Sequence, residues 1–287
     1  MNSTYTENTN NQTSAENQLV KNISKVLIIA CKESTEQLEE VFTREGFNCQ
    51  VLRQEFKPEY QNYSRSYLCL MNHHHAWEIA QKETQPTMIV EADFVPVVGI
   101  GKLSLPFNPK QTNVGVSWLY TCATQIYSIS NEGYAEGFSV STVAYIVTPQ
   151  AANSLMELSK EITLKYGATK YSSWDSTVDR YLRDRNFQNY IPWRNYGEHG
   201  GAPNPEHKQN KLSKTHRADV LYGKLAFMPL YAVNEKSARA TVFFVRLQAR
   251  LKGIARLLSG RFLRPKIIKS SKAPAKLIGF ALFRQFI

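Results

Sequence analysis

The sequence predicts an α/β protein with a mostly parallel sheet flanked by helices, and three observations predict it. The stretch "KVLIIACK" carries a continuous apolar run, Val26 to Ala30, of the length of a buried strand. An amphipathic helical pattern and a second strand, "NCQVLRQ", follow. A strand, helix and strand within about thirty residues form a unit that pairs its strands in parallel. The chain has 287 residues, 43% of them hydrophobic, which allows a sizeable core. No run of 18 apolar residues occurs, so no membrane-spanning helix is expected.

The elements follow in order. "MNSTYTENTNNQTSAENQ" has neither a basic region nor an apolar one, so it reads as a disordered polar leader over 1–23 rather than a signal peptide. "STEQLEEVFTREGF" is a helix capped by Ser34 or Thr35, with Leu38, Val41 and Phe42 inward and Gly46 ending it. "SRSYLCLMNHHHAWEIAQKE" is a helix with Leu70, His73, His74 and Trp77 near one face. "TMIVEADF", "TNVGVSWLY" and "STVAYIVT" are strands. "PQAANSLMELSKEI" starts a helix with Pro149 in its first turn, and "SSWDSTVDRYLRDRN" is another. From Asn195 to Ala232 the chain is rich in loop signals, with paired Gly, and too long for a simple connector. Gly99 and Gly101 read as a turn, because a dinucleotide fingerprint needs a third Gly. The four cysteines lack metal-type spacing and sit in apolar contexts, as buried free thiols do in a reducing compartment.

Charge divides the chain. Residues 236–287 hold 13 Lys/Arg and no Asp/Glu, which leaves 22 of the 35 basic residues against all 24 acids in 1–235. A nearly neutral body, 24–235, is thus joined to a basic tail.

Two carboxylates, Glu91 and Asp93, stand at the end of the "TMIVEADF" strand. Strand alternation points both the same way, and ligands of open α/β sheets sit at the carboxyl ends of strands. Two acids there can hold Mg²⁺ or Mn²⁺, which can bridge the phosphates of a nucleotide. Acids that are merely solvated at a strand end are the plainer reading.

"CLMNHHHAW" followed by "VEADF" resembles glycosyltransferase family 25, the lipopolysaccharide-biosynthesis type. Cys69, His73 and Trp77 match its helix, and Glu91 and Asp93 its acidic motif. "STVAYIVTPQAANSLMEL" and "SSWDSTVDRYL" resemble its later strand, helix and Asp-bearing helix start, so the resemblance spans about 25–190. Asn72 and Ala92 depart from the pattern, as does the first strand, "VLIIACKES". The resemblance implies a GT-A-type Rossmann-like fold and a hexosyltransferase-like enzyme that uses a nucleotide-sugar donor and inverts the anomeric carbon. It also implies donor binding by Glu91, Asp93 and His73, with the metal on Asp93 and Glu91.

Inverting transfer needs a base for the acceptor hydroxyl. Asp175 and Asp179, four apart, are expected on one helical face. Asp175 is the first choice because the resemblance falls there, although Ser172 and Asp175 also form a capping-box pattern. Three adjacent histidines diverge on a helix and cannot share one ion; His73 is expected buried or lining the donor cleft. One of His199, His207 and His216 could complete a metal shell or meet a diphosphate. "EHGGAP" is the best candidate, since two Gly allow close backbone approach to a phosphate.

The tail's "VFFVRLQARLKGIARLLSGRFL" puts Phe244, Leu247, Leu251, Ile254 and Leu258 on one side. It puts Arg246, Arg250, Arg256 and Arg264 on the other. A helix of this kind suits an anionic membrane surface better than nucleic acid, because its apolar face would not be left in water; a dimer or partner helix is the third reading. "KLIGFALFRQFI" is apolar but too short to span. The sequence therefore predicts a cytoplasmic enzyme peripheral to the inner face of a membrane. It would move a sugar from a nucleotide donor to a hydroxyl of a glycan or lipid-linked glycan. The alternative is a non-catalytic binding or scaffold protein on the same fold.

Overall fold

The structure, a computed structural model, describes residues 16–201 and 216–286. Its strands are β1 (Val26–Ala30), β2 (Cys49–Arg53), β3 (Thr87–Glu91), β4 (Phe94–Pro96) and β5 (Val114–Trp118). They continue with β6 (Gln125–Ile129), β7 (Ala135–Phe138), β8 (Ala144–Val147), β9 (Gln188–Ile191) and β10 (Gly197–His199). The longer helices are α1 (Glu36–Arg44), α2 (Arg65–Ala80), α3 (Pro149–Tyr166) and α4 (Val178–Arg183). After them come α5 (Ala238–Leu258), α6 (Pro265–Ser270) and α7 (Pro274–Phe286).

Eight strands make one sheet in the order β2-β1-β3-β8-β5-β9-β7-β6, and β4 and β10 pair separately. The sheet is mostly parallel in strand direction. β1 pairs in parallel with β2 and β3, and β5 with β9, whereas β8 and β7 each oppose both neighbours. The chain leaves β1 for β2 on one side and returns to β3 on the other. That reversal is a topological switch point, where α/β sheets open a crevice at the carboxyl ends of their strands.

Every residue of β1 is buried, as its apolar run requires of a strand covered on both faces. Leu27 and Ile29 join one core with α2 and α3, while Val26 and Ile28 join the opposite core with α1. Helix α1 buries Leu38, Val41 and Phe42 as its spacing predicts, and Gly46 ends it at φ +91°. Ser64 caps α2 by accepting from the Ser66 backbone N–H, and Thr148 caps α3 by accepting from that of Ala151.

Four expectations change. Residues 1–15 of the leader lie outside the described residues, but 16–23 are packed: Leu19 is buried, and its N–H donates to Leu103 O. The helix expected over "SSWDSTVDRYLRDRN" is a 3₁₀ turn, Trp174–Thr177, leading into the short α4. The β6–β7 hairpin, β9 and β10 were not legible in the sequence, since β6 and β7 are only partly buried and β10 has three residues. The charge boundary at 235/236 is not a gap in packing. Phe262, Leu263, Leu277, Phe280 and Ala281 belong to the core under α2 and α3. Arg284 is fully buried against Asp219, its Nη2 2.9 Å from Oδ1. Arg246 of α5 pairs with the buried Glu198 of β10.

Candidate functional site

The site forms at the carboxyl end of β3. Ile89 faces the core beneath α2, so Glu91, two residues on, emerges on the same side. There it meets His73, which α2 presents inward beside Leu70 and Trp77. His73 Nε2 lies 3.4 Å from Glu91 Oε1, and Thr142 Oγ1 lies 3.4 Å from the same oxygen.

The orientation of His73 is set from behind. Trp77 Nε1 donates to the Tyr145 hydroxyl at 2.8 Å, and His73 Nδ1 lies 2.9 Å from that hydroxyl. The buried Tyr145 O–H is satisfied if Nδ1 accepts from it, which leaves Nε2 to donate to Glu91. Trp174 packs 5.2 Å from the His73 ring and donates its Nε1–H to Ser66 O at 3.0 Å. That contact fastens the turn carrying Asp175 onto α2.

Asp175 is partly buried, and its carboxylate accepts from the Ser176 backbone N–H at 2.8 Å. Burial pushes its pKa up to about 7; the Glu91 carboxylate adds to the rise, and backbone N–H groups oppose it. Ser172 does not cap this turn: its N–H donates to Ser66 Oγ, and the N-cap position, Ser173, makes no side-chain capping bond. The capping-box reading is thus not realised.

Asp93 departs from the strand rule. β3 stops at Glu91, and Asp93 lies in the turn before β4, so alternation does not place the two acids. The β4–β10 ribbon brings His199 opposite Phe94, and His199 Nε2 sits 3.0 Å from Asp93 Oδ2. Burial alone would neutralise both groups. Their opposite charges and shared hydrogen bond prevail, holding Asp93 below the usual carboxylate range and His199 above the usual imidazole range. Gly201 is needed here, since a Cβ would come 2.0 Å from Asp93 Oδ2. Of the two glycines of "EHGGAP", Gly201 thus permits close approach to a carboxylate of this chain, and Gly200 packs on Val95 and the Asp93 backbone. Arg217 donates to His199 O and Gly201 O, fixing the segment, and stacks on Tyr231. His207 lies outside the described residues.

Asp179 stands apart from these groups. It accepts from the Tyr127 hydroxyl at 3.1 Å, Arg183 Nε at 3.0 Å and Asn189 Nδ2 at 3.0 Å. The 3₁₀ turn interrupts the helix, so Asp175 and Asp179 do not share a helical face.

Cys69, His73 and Glu91 form a group that could hold a metal ion, with one ligand atom from each lying within 4.8 Å of the others. Burial, reinforced by Glu91, Asp175 and Asp93, raises the Cys69 thiol well above its ordinary range, so without an ion it is held protonated. Asp93 Oδ1 is buried and has no hydrogen-bond partner among the described residues. A bound cation would satisfy that oxygen.

A cleft of about 600 Å³ opens beside the site, between α5 and the segment after β5. Arg217, Lys252, Arg256 and Arg261 line it, with Cys122 and Phe262. Arg217 joins it to the His199 segment, and the charge of Asp175 is felt at Cys122. Sequence reasoning did not single out Thr142, Tyr145 or Arg217: the first two lie in the "STVAYIVT" strand that carries part of the resemblance, and no local motif marks Arg217.

No protein-family model and no curated protein sequence matches the chain. Among solved structures it is similar to a glycosyltransferase involved in the glycosylation of the major capsid of PBCV-1. The two share 12% identity at a TM-score of 0.41, over 59% of this chain and 82% of that one. A likeness of that degree carries no argument about activity.

Proposed function

We propose that the protein is a glycosyltransferase that moves a sugar from a nucleotide-sugar donor to a hydroxyl of a glycan or lipid-linked glycan, with inversion. The observation that carries this reading is Asp175, a carboxylate held near pH 7 beside Glu91 at a switch point of the sheet. A base poised near the working pH is what removing a proton from an acceptor hydroxyl requires. Glu91 and Asp93 supply the hard oxygen donors that suit Mg²⁺ or Mn²⁺, and the unpartnered Asp93 Oδ1 is the atom such an ion would engage. Bound there, the cation would neutralise the donor diphosphate. His73 orients Glu91. The basic cleft suits an acceptor that bears phosphate.

The test is binding and turnover together. Thermal shift and calorimetry with a panel of nucleotide sugars should find a donor whose affinity rises with Mn²⁺. Asp93→Asn should abolish that metal-dependent gain while the fold remains; an unchanged gain sinks the metal assignment. Asp175→Asn should cut turnover by roughly 10²–10⁴-fold with donor affinity little altered. Full turnover per folded molecule in that variant removes Asp175 as the base. A second reading, a binding protein without catalysis, is favoured by the existing Asp93–His199 pair, which already occupies Asp93 Oδ2. Donor binding without any transfer or slow donor hydrolysis would select it.

A further inference from the structure

Helix α5 is mounted with its polar side inward. Arg246 reaches Glu198 and Ala218 O, Arg256 donates to Thr124 O at 3.1 Å, and Ala249 and Gly253 are the buried positions. A Cβ at Gly253 would meet Asp219 and Gln285, so this small residue lets α5 lie close against α7. The apolar stripe consequently faces out. Phe243 is 62% exposed, Phe244 65%, Leu247 44%, Leu251 57% and Leu258 79%.

Helix α7 repeats the arrangement. Leu277, Phe280, Ala281 and Arg284 are buried, while Ile278, Leu282, Phe283 and Phe286 are exposed. Leu230 and Val233, on the short turn that packs against α5, are exposed as well. Single exposed apolar side chains are ordinary, but a run of them along two helices and a neighbouring turn is the kind of surface that marks an interaction site.

Charge identifies the occupant. Helical spacing sets Arg239 and Arg250 at one edge of the α5 stripe and Lys252 beyond the other. Exposed Arg261, Arg264, Lys266, Lys269, Lys272 and Lys276 follow in a segment without a single acid. Among the described residues no helix is long and apolar enough to cross a membrane. Outward Phe and Leu flanked by cations match an interface with negatively charged headgroups above acyl chains.

We propose that the outward faces of α5 and α7 form a docking surface for an anionic lipid bilayer, which they enter by their Phe and Leu side chains without spanning it. The apolar stripe enters the headgroup boundary, and the flanking Lys and Arg meet lipid phosphates. This surface stands independently of sugar transfer. It also differs from a detachable anchor, because the inner sides of the same helices complete the fold.

The full chain should cosediment with vesicles of phosphatidylcholine and phosphatidylglycerol, and only weakly with phosphatidylcholine alone. High salt should weaken the binding and leave a residue due to the apolar face. The triple variant Phe243→Ser, Phe244→Ser and Leu251→Ser should lose about ten-fold or more of the affinity for anionic vesicles. All three side chains are exposed, so its melting temperature should stay close to that of the parent, which circular dichroism checks. Failure of the parent to bind anionic vesicles overturns the proposal, as does full binding by a folded triple variant. A parent that forms dimers, stays off vesicles and becomes monomeric with the triple substitution would show that a second copy covers this face.

Discussion

Two regions of the molecule bury carboxylates, and they treat them in opposite ways. Where the C-terminal helices meet the body, each acid is matched with an arginine: Glu198 with Arg246, and Asp219 with Arg284. Burial still pushes Glu198 up despite Arg246. Burial acts on Asp219 too, but the Arg284 charge, with Gln285, brings it down. At the end of β3 the partners are weaker. Glu91 and Asp93 face histidines, and Asp175 accepts from a backbone N–H. An acid locked to an arginine is spent on holding the fold, whereas one left with a titratable or neutral neighbour can still take a proton or a cation.

The largest effect should come from breaking the first kind of region. Arg284→Ala leaves Asp219 buried without its guanidinium, and losing one partner of a buried pair costs about 3–5 kcal/mol. Chemical denaturation should show a loss of that size or an unfolded chain. A change below about 1 kcal/mol, the value of an exposed pair, would mean that water reaches Asp219.

The second region should respond in the other direction. Asp175 in the native protein keeps its proton up to about 7, while the unfolded chain releases it near the ordinary carboxylate value. The native state therefore loses stability as pH rises between those values, and the full cost is present above about 7. Asp175→Asn cannot ionise, so it should be more stable than the parent at pH 8, on the order of 2–4 kcal/mol, and equal to it near pH 4. A variant equal to the parent at both pH values would show that Asp175 is solvated like a surface acid. The same substitution lowering turnover while raising stability would separate a site acid from a structural one.

Asp179 sharpens the contrast within one short stretch. With Tyr127, Arg183 and Asn189 around it, it belongs with the arginine-matched acids. Asp179→Asn should cost about 1–3 kcal/mol through misplaced donors, with turnover per folded molecule unchanged. A loss of turnover without loss of stability would return it to the catalytic group.

Much of the frame was legible because it rests on local rules. The apolar run of β1 and the period of α1 need no distant partner to be read. The caps were less legible: Thr35 stands at the N-cap of α1 without a side-chain cap bond, and Ser64 and Thr148, which do cap α2 and α3, were not singled out. Glu91 and His73 were singled out through the family resemblance, and the fold brings them to 3.4 Å of each other. Asp93 was misplaced because the rule used for it stops where the strand stops, one turn too early.

What the sequence determined by itself is the alternating α/β order, the inward faces of α1 and α2 and the concentration of basic charge after residue 235. Those follow from periodicity and composition, which are properties of neighbours along the chain. Tertiary structure alone decided that His199 answers Asp93 from 106 residues away and that Trp174 brings Asp175 to Glu91's side of α2. It also decided that the basic side of α5 turns inward. An amphipathic helix has two faces, and periodicity distinguishes them without saying which one meets the protein. Here the buried Glu198 takes Arg246 of α5, and Gly253 and Ala249 offer a close seat beside Asp219, which Arg284 of α7 answers. The charged side went in, and the apolar side was left facing out.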